Sequence, residues 1–214
     1  MLSVAGDSES WGRSVAWSKD DPFGAEYAEL EIDSDRMRAR GTAIGSAPLP
    51  YRLDFTIHTG LDFVTQKVTV ATRGDGWRRQ IALARADAGE WTCAADRQGT
   101  ALDLPDPGGE MDQFAEALDP DLQLCPVFNT MPVLRHKLFE GGKAPELLMV
   151  WISVPDLALY PSVQLYSLNR SLDDGSHLVR FEGPDPDGED FIADIVFDRN
   201  GIVVDYPGIA TRIR

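Results

Sequence analysis

The chain has 214 residues, 43% of them hydrophobic, enough for one sizeable core; all-β domains of about 200–250 residues are common, so a single domain over 1–214 is expected. Its 35 acidic residues against 20 basic ones give a net charge of −15, a field that repels nucleic acid and anionic membrane surfaces and favours solubility. No stretch approaches the roughly 18–20 consecutive apolar residues of a transmembrane helix.

Residues 1–12 are small, acidic and polar where a signal peptide needs a basic patch and an apolar run. They read as a disordered tail, and the protein is expected to be cytoplasmic. Cys93 and Cys125 are too few for a disulfide framework, and His58, His136 and His177 are far apart in sequence, so neither a metal site nor a cofactor is expected.

The chain reads as strands almost throughout. In 27–33, Ala28, Leu30 and Ile32 alternate with Glu29, Glu31 and Asp33. After a turn at Ser34-Asp35, Met37, Ala39 and Ala43 alternate with Arg36, Arg38, Arg40 and Thr42. Pairing these strands sets the glutamate row beside the arginine row on one exposed face. Residues 51–58 give the clearest period of two, with Tyr51, Leu53, Phe55 and Ile57 on one side and His58 on the polar side. Strands at 63–72 and 77–85 flank the Gly74-Asp75-Gly76 turn, and Asp87-Ala88-Gly89 leads to 90–93, which together describe a meander.

Residues 98–121 hold Pro105, Pro107, Gly108, Gly109 and Pro120 and read as a loop, with one helical turn around 111–118. Then Asn129 or Thr130 is placed to cap a helix with Pro132 in its first turn, ended by Gly141-Gly142. Met131, Leu134 and Leu138 form its apolar stripe. Residues 146–154 are apolar on both faces, so this strand is expected to be covered on both sides. Strands at 157–168, 178–182, 191–198 and 202–206 follow, with hairpin turns at Asp187-Gly188 and Asn200-Gly201. The count is roughly a dozen strands and one helix.

The nucleophile elbow, the zinc-protease helix, the phosphate loop and the dinucleotide fingerprint are all missing from the sequence, and no catalytic residue is assigned. Carboxylate pairs such as Asp173-Asp174 and Glu189-Asp190 sit beside turn glycines, where acids are usually solvated.

From Val127 onward the chain resembles a known family. Phe128-Asn129-Thr130-Met131-Pro132-Val133-Leu134-Arg135, Trp151-Ile152-Ser153-Val154-Pro155-Asp156-Leu157, Gln164-Leu165-Tyr166, and Asp198-Arg199-Asn200-Gly201 running on to Asp205-Tyr206-Pro207-Gly208 are similar, in order and spacing, to motifs of the bacterial putative glycolipid-binding protein family. The likeness covers 122–214 well; the first half matches in outline, at Trp77-Arg78-Arg79 and Trp91. His136 departs from it, standing where a second arginine is expected. The resemblance implies a mainly β fold, a spiral β-roll in which a long antiparallel curled sheet wraps around a single short helix. It also implies binding of a glycolipid or another amphiphilic small molecule.

Each candidate residue has two readings. Asn129 and Thr130 are helix caps, or with Arg135 they present the helix start to a phosphate or sugar head group. Asp205 and Tyr206 end the last strand, or they line a cavity mouth with the phenol stacked on a sugar. Gln164 and Tyr166 carry the same ambiguity, while Trp151 and Met149 read as core. Three functions follow: an amphiphile carrier or sensor; an enzyme using Tyr206, Asp205, Arg135 or His136 as acid or base on a hydrophobic substrate; and an interaction protein that forms a homodimer through an exposed edge or loop. A polar pocket holding a desolvated aspartate or histidine favours the second, an apolar acyl-sized cavity the first.

Overall fold

The computed structural model describes residues 11–100, 104–184 and 190–213. Six strands of the first half follow one another as a meander: β2 (Gly24–Ile32), β3 (Met37–Gly45), β4 (Tyr51–Thr59), β5 (Thr65–Gly74), β6 (Trp77–Arg85) and β7 (Trp91–Gly99). Their inward residues are those of the period-two pattern; Leu30, Phe55, Ile57, Ile81 and Leu83 are fully buried. Glu29 stands opposite Arg40 and Glu31 opposite Arg38, and Arg40 pairs with Glu29 on the exposed face, as the alternation predicts. His58 is exposed on the polar face.

Gly41 shows how tightly the inner face is packed. It lies opposite Phe55 in the β3–β4 ladder, and a methyl group there would come within 2.4 Å of the phenyl ring. The ring fills the space that a side chain would take.

The second half supplies β8 (Asp119–Leu122), β9 (Leu147–Ile152), β10 (Leu159–Ser171), β11 (His177–Pro184), β12 (Asp190–Phe197), β13 (Val203–Tyr206) and β14 (Ala210–Arg212). β1 (Trp11–Lys19) joins the halves, pairing with β2 on one side and β14 on the other. All fourteen strands form one sheet in the order β7-β6-β5-β4-β3-β2-β1-β14-β13-β12-β11-β10-β9-β8. The end strands β7 and β8 do not pair, so the curled sheet is not closed into a barrel. Every neighbouring pair is antiparallel except β8–β9, whose parallel alignment requires the long crossover that carries the helix.

The sheet spirals inward at β8 and β9. The Thr65 amide of β5 donates to Leu118 O at 3.1 Å, tying the inner end of the sheet to the meander. As the two-sided apolar pattern requires, β9 is covered on both faces: Leu147 and Met149 join a cluster with Tyr166, Phe181 and Phe197, while Val150 and Ile152 join the core of the first half.

Several boundaries differ from expectation. Trp11 and Gly12 belong to β1 and are not part of a tail; residues 1–10, and the Asp187-Gly188 turn, lie outside the described residues. The region read as one loop over 98–121 contains the expected helical turn, at Met111–Phe114, but ends in β8, where an aspartate and a proline hide the strand pattern. The helix α1 (Thr130–Arg135) is short and follows a 3-10 turn, Pro126–Asn129. It stops at His136, before the predicted glycines, because Lys137 adopts a left-handed φ of 48°. Asn129 makes no side-chain cap. None of the described helices is long and apolar enough to cross a membrane.

Candidate functional site

A cavity of about 290 Å³ lies where β8 to β13 face the turn between β1 and β2. Its apolar walls are Trp151, Phe181, Phe191, Leu122 and Ile209. Its polar groups include Asp121, Gln123, Asn129, Ser162, Gln164 and Tyr206, with Asp21 on the turn.

The polar groups are ordered by one hydrogen-bonded chain. Tyr166 Oη lies 2.9 Å from Asn129 Oδ1 and 3.1 Å from Gln164 Oε1, so its single proton serves one of these acceptors at a time. Gln164 Nε2 donates to Asp121 Oδ2 at 2.7 Å. The strand pleat explains the arrangement: Ser162, Gln164 and Tyr166 alternate inward along β10 and are all buried. Asp121 is delivered from β8, and Asn129 from the turn preceding α1.

Asp121 Oδ1 and Tyr206 Oη, both in the wall, have no hydrogen-bond partner among the described residues. Burial raises the Asp121 carboxyl from its ordinary 3.8 to about 6, against the opposing pull of the Gln164 hydrogen bond. Burial, and then the neighbouring Asp121 charge, push the Tyr206 phenol well above its usual range. Tyr206 therefore stays protonated at neutral pH, able both to donate and to accept.

Behind the cavity wall sits a second polar cluster. The Cys125 thiol donates to Glu26 Oε1 at 3.0 Å, and Glu26 Oε2 accepts from Lys19 Nζ at 2.9 Å. Burial and the Glu26 charge hold the Cys125 thiol well above its usual range, so it remains a neutral donor. Burial lowers the Lys19 pKa, but the adjacent Glu26 carboxylate outweighs it and leaves it raised.

Of the seven residues singled out from sequence, Asn129, Gln164 and Tyr206 line the cavity and Tyr166 links two of them from behind. The other three are elsewhere. Arg135 forms a buried ion pair with Asp119, Nη1 to Oδ2 at 2.6 Å, and donates to the Asp62 and Phe63 carbonyls. It therefore ties α1 to β8 and does not line the cavity. Thr130 is fully buried and does not line the cavity. Asp205 accepts from Thr211 Oγ1 at 2.8 Å across the β13–β14 hairpin. His136 does not line the cavity either.

Sequence reading missed Asp121, Cys125, Ser162 and the cavity side of Trp151. The one available signal for Asp121 is its place in a run, 119–125, where polar residues alternate with Pro120, Leu122 and Leu124. Among the described residues no group of three acidic, histidine or cysteine side chains could hold a metal.

The sequence model of a family described as "Putative glycolipid-binding" matches residues 14–212. The chain belongs to this family. The match extends through the first half, where the motifs agree only in outline. A crystal structure of a DUF1089 family protein from Pseudomonas aeruginosa is similar over 100% of this chain and 99% of that one, with a TM-score of 0.60 and 22% identity. Likeness at that identity concerns the fold. No curated protein matches the chain.

Proposed function

We propose that this member of the family binds an amphiphilic small molecule of the glycolipid class, as a carrier or sensor, with the polar head group in the cavity. The observation that carries this reading is the pairing of Asp121 Oδ1 and Tyr206 Oη, both unpartnered among the described residues, between aromatic walls. A sugar ring offers hydroxyls that donate to a carboxylate and accept from a phenol, and its C–H faces pack against aromatic rings. The volume of about 290 Å³ suits a sugar-sized head group and is too small to enclose a diacyl lipid. Native mass spectrometry of the protein after incubation with a cell lipid extract tests it. A co-purifying glycolipid is expected; protein without adduct at saturating extract would refute the reading.

A second reading rests on Asp121 itself. A carboxyl titrating at about 6 beside a protonated phenol is suited to general acid–base catalysis at neutral pH. It places acid–base work on Asp121 and Tyr206, away from Asp205, Arg135 and His136. Incubation with nitrophenyl glycosides and nitrophenyl esters tests it: turnover that Asp121→Asn abolishes supports catalysis, and no turnover leaves binding alone.

A further inference from the structure

Next to the cavity lies a second depression of about 420 Å³, and the two share Gln123, Trp151, Ser162 and Pro184 as a common wall. In the cavity, a carboxylate oxygen and a phenol are unpartnered among the described residues. In the depression, three polar atoms are engaged with the protein. Ser153 Oγ donates to Asp156, Asp156 Oδ1 also accepts from the Ala158 amide at 2.9 Å, and Gln123 Oε1 accepts from the Val154 amide at 2.9 Å. Five of its nine lining residues, Trp151, Val154, Tyr160, Pro161 and Pro184, offer a ligand largely apolar surface. Trp151 and Tyr160 are cross-strand neighbours on β9 and β10, with ring centroids 5.8 Å apart. Tyr160 is 45% exposed, a large side chain left at the surface beside a built cavity.

We infer that cavity and shelf are two subsites of one groove for a glycoside, its sugar ring held by Asp121 and Tyr206 and its apolar aglycone lying over Trp151, Tyr160 and Pro161. This rests on the binding reading above and specifies how the ligand lies. It also sets the charge of the head group. Asp121 and Asp21 line the cavity with no basic side chain beside them, and the buried Lys19 is committed to Glu26. The head group is therefore neutral or carries an amine; a phosphate or sulfate placed there would meet carboxylates with no free counter-charge.

The test is calorimetric titration with octyl β-glucoside below its micelle concentration, methyl β-glucoside and octyl sulfate, on the wild type and on Tyr160→Ala and Asp121→Asn. Tyr160 is an exposed strand residue, so its replacement leaves the fold intact. In the wild type, octyl glucoside binds more tightly than methyl glucoside, and octyl sulfate does not compete. Tyr160→Ala is expected to weaken octyl glucoside about 5- to 10-fold while changing methyl glucoside less than about twofold. Asp121→Asn is expected to weaken both. If Tyr160→Ala leaves octyl glucoside unchanged while Asp121→Asn weakens it, the shelf is overturned and the cavity reading stands. If octyl sulfate binds as well as octyl glucoside, the charge assignment is overturned. If neither glucoside binds the wild type at millimolar concentration, both the groove and the glycoside reading fail.

Discussion

Gln164 Nε2 donates to Asp121 Oδ2 at 2.7 Å, and this is the only hydrogen bond that the carboxylate receives among the described residues. A half-buried carboxylate with one donor is a costly feature, because a single hydrogen bond replaces only part of the hydration that burial removes. A ligand that donates to the free oxygen would complete it.

Replacing Asp121 by asparagine should therefore stabilise the fold at neutral pH. The folded carboxyl titrates at about 6 and the unfolded one near 3.8, so between these values the folded state binds more protons. Stability of the wild type then falls as pH rises through that window and is lowest, for this group, above it. Asp121→Asn lacks the dependence and still accepts from Gln164. Urea unfolding should show the two proteins converging below about pH 4 and the variant ahead by about 2–3 kcal/mol at pH 7.5. A variant less stable at pH 7.5 would mean that Asp121 is already satisfied by the protein.

Tyr166→Phe removes the hydroxyl that lies between Asn129 and Gln164. Both amides are buried and lose the one proton they share, so a loss of about 1–3 kcal/mol is expected in denaturant unfolding. Because Gln164 orients Asp121, ligand affinity should fall as well. Unchanged stability would show that water replaces the phenol.

Arg135→Met should be the most damaging substitution outside the apolar core. It leaves Asp119, fully buried, with only the Thr65 hydroxyl at 2.8 Å and the Thr65 amide at 3.3 Å, and it frees the Asp62 and Phe63 carbonyls. Breaking one side of a buried pair costs about 3–5 kcal/mol. Chemical denaturation measures this; a small loss together with a large change in ligand affinity would restore Arg135 as a binding residue.

Gly41→Ala places a methyl group in the Phe55 ring and within 2.7 Å of the Tyr27 carbonyl. Overpacking of this kind costs about 1–3 kcal/mol, read as a lower midpoint in thermal unfolding. Phe55→Leu in the Gly41→Ala background should recover part of the loss, since the smaller side chain vacates the space.

The two cysteines provide a separate check on the Cys125–Glu26–Lys19 cluster. Cys93 is half-buried and Cys125 buried, and burial raises both thiols. Iodoacetamide at pH 8 should modify Cys93 first and leave Cys125 largely unlabelled, as peptide mapping would show. Rapid labelling of Cys125 would contradict the neutral thiol bound to Glu26.

The sequence by itself determined the β class, the faces of the meander strands, the doubly covered β9 and the family. These follow from local rules: alternation fixes which side chains point inward, turn glycines fix where strands reverse, and a two-sided apolar run requires two layers. Among site residues, Gln164, Tyr206 and Asn129 were legible only as ambiguous motif positions. Tertiary structure decided the rest, because the site joins side chains from strands far apart in the chain. Asp121 meets Gln164 across 43 residues, and Asn129 meets Tyr166 across 37. Arg135 is drawn from a candidate anion site into an ion pair by Asp119 on β8, a strand hidden behind an aspartate and a proline. Which carboxylate is neutralised by an arginine and which is left facing a cavity depends on which groups the curl of the sheet brings within hydrogen-bonding distance. No local pattern encodes that distance.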